Sequence, residues 1–302
     1  MNLELSADAA EYGRQALRAF ESAGGDLLVQ QAEAKPSDRE ALVAPVLAEL
    51  GAWDLDPRTA PASLEAAAAL CRSAGYWALP YPLAERLARP ADLDVDGLIV
   101  VSAAAPEGAV AGLENRWAAV TLDGSRSTAV ATAVTGPAFT AALRLTEVDG
   151  AGAGDVALGL VLPCWTLLGM LDRAVELTIA HVTLREQFGQ PLSSFQGVQF
   201  QLTDAEVERT GLEVLAKHAL WSLDVGDALA LRLAALEAGE VVFRVCHQLH
   251  GAVGFCDETT LSWLSRYSQP LRRLPFGLSA TRQQLTQRVG RRGLTGLFSQ
   301  RR

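Results

Sequence analysis

Between two long stretches of helical apolar periodicity stands Arg185-Glu186-Gln187-Phe188-Gly189-Gln190-Pro191-Leu192-Ser193-Ser194-Phe195-Gln196. Before it, Cys164, Leu168, Leu171, Val175, Ile179 and Val182 recur at helical spacing; after it, Phe195, Val198, Leu202 and Ala205 do the same. Gly189 can take the left-handed conformation that closes a helix, and Pro191 forbids continuation, so the first helix is predicted to end near Phe188. Ser193 with Gln196 three residues on has the capping-box pattern and is predicted to start the second. Two long helices therefore meet at a tight corner. That corner carries a permanent cation, Arg185, and an amide, Gln196, a combination suited to a phosphate-bearing ligand. In the bland alternative Arg185 pairs with Glu186 or a carbonyl, and Gln196 only caps its helix.

The rest of the C-terminal half continues the theme. Leu212, Leu215 and Ala219 extend the second helix, and Asp224-Val225-Gly226-Asp227 reads as a turn. Leu229, Leu233, Leu236 and Phe243 line a third helix, which delivers Gln248 and His250 to Gly251-Ala252-Val253-Gly254. Short turns between long helices make an antiparallel four-helix bundle the natural architecture. The N-terminal part is also helical: 6 to 23 closed by Gly24-Gly25, a second stretch from Pro36 to Gly51, and an Ala-rich one from Pro61 to Gly75. From Asp94 the texture changes to short β-prone runs, Gly97 to Ser102, Arg116 to Thr121, Ser127 to Val134 and Thr140 to Glu147, predicted to form a small antiparallel sheet ending near Gly154.

Charge narrows the function. A formal net charge of −9 argues against a general nucleic-acid binder. The one basic region, with no acid after Thr259, collects Arg266, Arg272, Arg273, Arg282, Arg288, Arg291, Arg292, Arg301 and Arg302. It reads either as a solvated end paired with acids or as a contact for phosphates or a partner. Cys71, Cys164, Cys246 and Cys256 have neither metal-site nor disulfide spacing, and Met1 to Ala10 shows no basic leader, so a reduced, cytoplasmic chain is expected. The apolar run Val156 to Leu171 is shorter than the roughly 20 residues of a spanning helix, so no membrane contact is expected. His247 and His250 could face one way on a helix, but no third ligand accompanies them and no metal is expected.

The pattern R-x-x-F-G-x-x-L-x-x-F-Q at 185–196, followed two helices later by Q-x-x-G-A-x-G at 248–254, resembles the C-terminal helical domain of the acyl-CoA dehydrogenase family. These are flavoproteins that oxidise acyl-CoA thioesters to enoyl-CoA. The resemblance covers Leu158 to Gly254, continues weakly to Arg266, and is traceable in the N-terminal helices, where Tyr76 replaces a usual Arg. It implies a mainly α fold: an N-terminal helical domain over 1–93, a reduced antiparallel β middle domain over 94–154, and a C-terminal four-helix bundle over 155–302. It also implies FAD. Arg185 would contact the diphosphate, commonly across a subunit boundary; Phe188 and Gln196 would flank the adenosine side; Gln248, His250, Gly251 and Ala252 would form the nearby loop.

The family's proton-abstracting Glu is missing. One customary place falls on Gly159 and the other on Pro275, and no counterpart of the family's T-E-x-x-x-G-S-D flavin-ring segment is present. Glu258 has a family counterpart that is not the base, so no catalytic residue is identified. The resemblance then implies the non-base subunit of a hetero-oligomer, as in bacterial enzymes acting on steroid side-chain CoA thioesters. Its partner would be a full-length acyl-CoA dehydrogenase in a heterotetramer, its substrate an acyl-CoA, and its electron acceptor an electron-transferring flavoprotein. Two alternatives stay open: a homomeric enzyme using Asp155 as a displaced base, and a scaffold subunit without cofactor.

Overall fold

The computed structural model describes residues 4–110, 113, 115–132 and 140–292. Five helices come first: α1 (Ala7–Ser22), α2 (Asp26–Ala34), α3 (Arg39–Glu49), α4 (Pro61–Tyr76) and α5 (Leu83–Leu87). The hydroxyl of Ser6 accepts the Ala9 N–H and so starts α1. A sheet follows, built from β1 (Gly97–Val100), β2 (Glu107–Gly108), β3 (Arg116–Val120), β4 (Arg126–Ala131) and β5 (Ala141–Glu147). The predicted run to Val134 runs past β4 into residues outside those described, where Arg301 and Arg302 also lie.

The sheet is mixed rather than antiparallel. Its strand order is β1-β3-β4-β5-β2, with β1 parallel to β3 and the other pairings antiparallel. The cause is the connection from β1 to β3, which crosses to the far edge, pairs as β2 with β5, and returns in the original direction.

The axis of the molecule is α6 (Ala153–Leu184), 32 residues long. Leu160, Leu162, Trp165, Leu167, Leu168 and Leu171 are fully buried because α4, β1, α8 and α9 surround it. It is apolar and long enough to span a bilayer, but 78% of its most apolar window is buried within the protein, which makes it a core helix. Glycines set its crossing with α4. A Cβ on Gly75 would lie 1.8 Å from the Thr166 carbonyl oxygen, and one on Gly169 equally close to that of Arg72. Charges pin the same crossing: Arg72 and Arg209 both hold Asp172 and Glu213, at 2.6 to 3.3 Å. At position 76 Tyr takes part in this, donating to Glu176 at 2.7 Å and accepting from Arg173 at 3.0 Å.

The corner differs from the predicted one. Helix α6 stops at Leu184, and Arg185 is extended. Two short strands, β6 (Glu186–Gln187) and β7 (Gln190–Pro191), form a hairpin whose loop is Phe188-Gly189 with φ of 54° and 80°. Two consecutive positive φ angles make this the primed turn whose twist suits a hairpin. Gly189 therefore closes a hairpin, not a helix. The capping box does not form either: α7 (Gln196–Ser222) starts after Phe195 without a side-chain cap, and the Ser193 carbonyl accepts from Gln199 Nε2 at 3.0 Å. At the next corner Asp224 accepts the N–H groups of Gly226 and Asp227, so α8 (Val225–His250) starts directly and only Leu223 and Asp224 link it to α7, two residues instead of the expected four. The last described elements are α9 (Thr260–Arg273) and α10 (Leu278–Arg292), both packed on α8. Much of the basic end is paired with acids: Arg266 with Asp257, Arg282 with Glu237, Arg288 with Asp224.

Candidate cofactor-contact site

Helices α6 and α8 end side by side. His181, one turn before Arg185, stacks on His250 with ring centroids 4.4 Å apart and planes 17° from parallel. The two sequence motifs are thus joined at one end of the bundle. Burial keeps both imidazoles below their usual range; the nearby Arg185 charge adds to this at His181, whereas the Cys246 carbonyl, 2.9 Å from His250 Nδ1, opposes it.

Arg185 is exposed, and among the described residues its guanidinium has no hydrogen-bond or ion-pair partner. Glu186 does not claim it. Its backbone is fixed, because the carbonyl accepts the Leu192 N–H at 2.8 Å, but its charge is available. Phe188 sits at the hairpin tip, 92% exposed, edge-on to Phe195 at 6.2 Å. Gln196 opens α7 as an exposed side chain at an uncapped N-terminus, where N–H groups favour an anion.

On the other side of the stack, α8 ends at His250 because Gly251 turns the backbone to φ 65°, ψ −149°, a conformation that glycine alone adopts without strain. A Cβ there would meet nothing within 4 Å, so the loop's outer face is open. Gln248 and Ala252 are exposed beside it, and Gly254 is tucked against His250. His247 stacks on Phe255 at 4.2 Å, which accounts for its position without a metal. Among the described residues no group of three His, Cys, Asp or Glu could hold a metal ion. A free guanidinium, an uncapped helix start and a side-chain-free bend fit a diphosphate.

Sequence reasoning missed one feature of this face. Phe200, Val207, Val214 and Trp221 repeat every seven residues along α7, each more than half exposed. The stripe lies apart from the positions read as the core face, Val198, Leu202 and Ala205, so it is an addition to that face and not part of it.

The two customary places for a base lie together. Gly159 and Pro275 line one cavity of about 40 Å³ between β1, α6 and α9. A Cβ on Gly159 would press to 2.7 Å from Val100 Cγ2, so this turn of α6 seats directly on β1. Asp155 is engaged away from this cavity. Its buried carboxylate is held by Arg58 at 2.7 Å and Arg126 at 3.2 Å, and it is not among the cavity's lining residues. The carboxyl that does line the cavity is Glu85 of α5, which no motif pointed to. Burial lifts it to about 7, and among the described residues its side chain has no ion-pair partner.

Residues 161–280 match the model of the acyl-CoA dehydrogenase C-terminal domain. Among curated proteins, acyl-CoA dehydrogenase FadE28 of Mycobacterium tuberculosis is 35% identical over 91 residues, 28% of this chain and 27% of that protein. The chain thus aligns with about a quarter of that relative's length. Among solved structures, the Tcur3481-Tcur3483 steroid ACAD superposes with a TM-score of 0.78 at 20% identity, covering 97% of this chain and 100% of that one. The ChsE4-ChsE5 complex from Mycobacterium tuberculosis gives 0.71 at 15% identity, covering 98% and 100%.

Proposed function

With an acyl-CoA dehydrogenase C-terminal domain over 161–280 as the premise, we propose that this chain is a subunit of an FAD-dependent acyl-CoA dehydrogenase that works only with a second, base-bearing subunit. The observation that carries this reading is the free guanidinium of Arg185, fixed in place by its backbone and joined to the Gly251 bend through the His181–His250 stack. Bound FAD would supply the hydride acceptor for α,β-dehydrogenation of an acyl-CoA thioester. Arg185 would offer paired N–H donors to the diphosphate, Gly251 and Ala252 would let the backbone approach it, and Phe188 with Gln196 would border the adenosine. Gln248 and His250 would complete the loop.

Two further facts support a partner. Positions 159 and 275 bring no carboxylate, which favours a base supplied by another subunit. The tip of the Arg185 hairpin and the α7 stripe expose apolar side chains that a neighbouring chain would cover. The similar structures, a ChsE4-ChsE5 complex and a Tcur3481-Tcur3483 steroid ACAD, favour a heterotetramer as the assembly and a steroid side-chain CoA as the substrate class. An electron-transferring flavoprotein as acceptor and a cytoplasmic setting complete the proposal.

The test is co-expression with a full-length relative carrying Glu at either customary place. A yellow complex that dehydrogenates acyl-CoA, and loses FAD on Arg185→Ala in this chain, is expected. Retention of FAD and dehydrogenation by this chain alone would overturn the reading.

A further inference from the structure

The cavity that holds Glu85 has a second charged wall. Arg232 of α8 lines it and is only 3% exposed. Its Nη1 donates to the Leu271 carbonyl at 3.1 Å and its Nη2 to that of Phe276 at 2.8 Å, so two donors are spent on the end of α9 and the segment after it. Its Nε is buried with no acceptor, and no carboxylate among the described residues pairs with it. The other lining residues, including Leu98, Val100, Pro163 and Leu274, are apolar.

A buried guanidinium facing a cavity without a counter-charge is costly unless something anionic completes it. Capping α9 explains the two Nη contacts and leaves both the charge and the Nε unmatched. Glu85 does not neutralise it, because no ion pair joins them. The cavity of about 40 Å³ adjoins one of about 70 Å³ that shares Glu85, Pro270 and Leu271. Together they offer room for a small acid headgroup and a short apolar tail.

We propose that this cavity is a carboxylate-binding site, in which Arg232 Nε donates to a small ligand's carboxylate and the Glu85 carboxyl shares its proton with the same group. Near neutral pH the second half of the contact is available because burial keeps Glu85 protonated up to about 7. The other ionisable groups facing it are the Cys71 thiol, itself pushed far up by burial, and Arg39 and Tyr267 across the adjoining cavity, which bond to each other. None replaces the proton donor. The inference does not rest on the flavin assignment; a cofactor-free chain would show it equally.

The test is calorimetric titration of the full chain with propanoate and with its uncharged isostere, propanamide. One propanoate per chain is expected, at least about tenfold tighter than propanamide, as a charge-assisted contact requires. Affinity should fall about tenfold between about pH 6 and about pH 8 in the natural chain, and Glu85→Gln should remove that fall. Arg232→Lys, which keeps the charge but loses the planar fork, should weaken binding about tenfold. No binding, equal binding of acid and amide, or propanoate affinity untouched by both substitutions would overturn the proposal and leave Arg232 as a helix cap only.

Discussion

The rings of His181 and His250 lie parallel at 4.4 Å and bind the last turn of α6 to the last turn of α8. Because burial holds both imidazoles below their usual range, the folded chain resists their protonation. As pH drops below the unfolded value of 6.5, the unfolded chain gains protons first and this source of stability is lost. Ring proton resonances in NMR are expected to titrate below 6.5 at both residues.

Glu85 runs the opposite way. Its unfolded carboxyl titrates near 4.5 and the folded one at about 7, so its contribution is complete below 4.5 and vanishes as pH rises through 7. The span corresponds to at most about 3 kcal/mol. Glu85→Gln should therefore stabilise the chain by about 1–3 kcal/mol at about pH 8 and by little at about pH 5 in urea denaturation.

Gly169→Ala should be severe. The added carbon would meet the Arg72 carbonyl oxygen at 1.8 Å, and both backbones are helical, so α4 and α6 must separate. A loss of about 3 kcal/mol or more is expected in denaturation, with Gly197→Ala, which would meet nothing, as the harmless control.

Asp172→Asn should loosen the same crossing by electrostatics. Arg72 and Arg209 would each lose a carboxylate, at a cost of about 1–3 kcal/mol given partial burial. Burial opposes the charge on neighbouring Glu213, yet hydrogen bonds from Arg72 and Lys217 outweigh it and hold the carboxyl down at about 2. The stability it contributes is therefore complete above 4.5 and lost as pH falls toward 2.

Arg185→Ala should separate function from folding. With no partner to lose among the described residues, the isolated chain should keep its stability within about 0.5 kcal/mol, while FAD affinity of the complex drops at least about tenfold. Thermal melting and flavin absorbance after gel filtration read the two effects.

The long helices were legible because their period is strong and their ends carry glycine and proline. The corner was misread because Gly189 suits a helix end and a primed hairpin turn equally. Only the positive φ of Phe188 decides between them, and a bulky residue seldom advertises that conformation. The mixed sheet was missed because β2 is two residues long and leaves no period. Arg185 and the Gly251 bend stood out in local motifs. Glu85 and Arg232 lie far apart in sequence, and only the packing of α5 against β1 and α8 against α9 makes them neighbours of one cavity.

Phe188 has a consequence for how the chain is made. A phenyl ring held in water at a hairpin tip, with a four-step greasy ladder along the next helix, invites clumping of newly synthesised molecules. Overproduced by itself, the polypeptide should give a lower soluble yield than when the surface that hides that ring is made alongside.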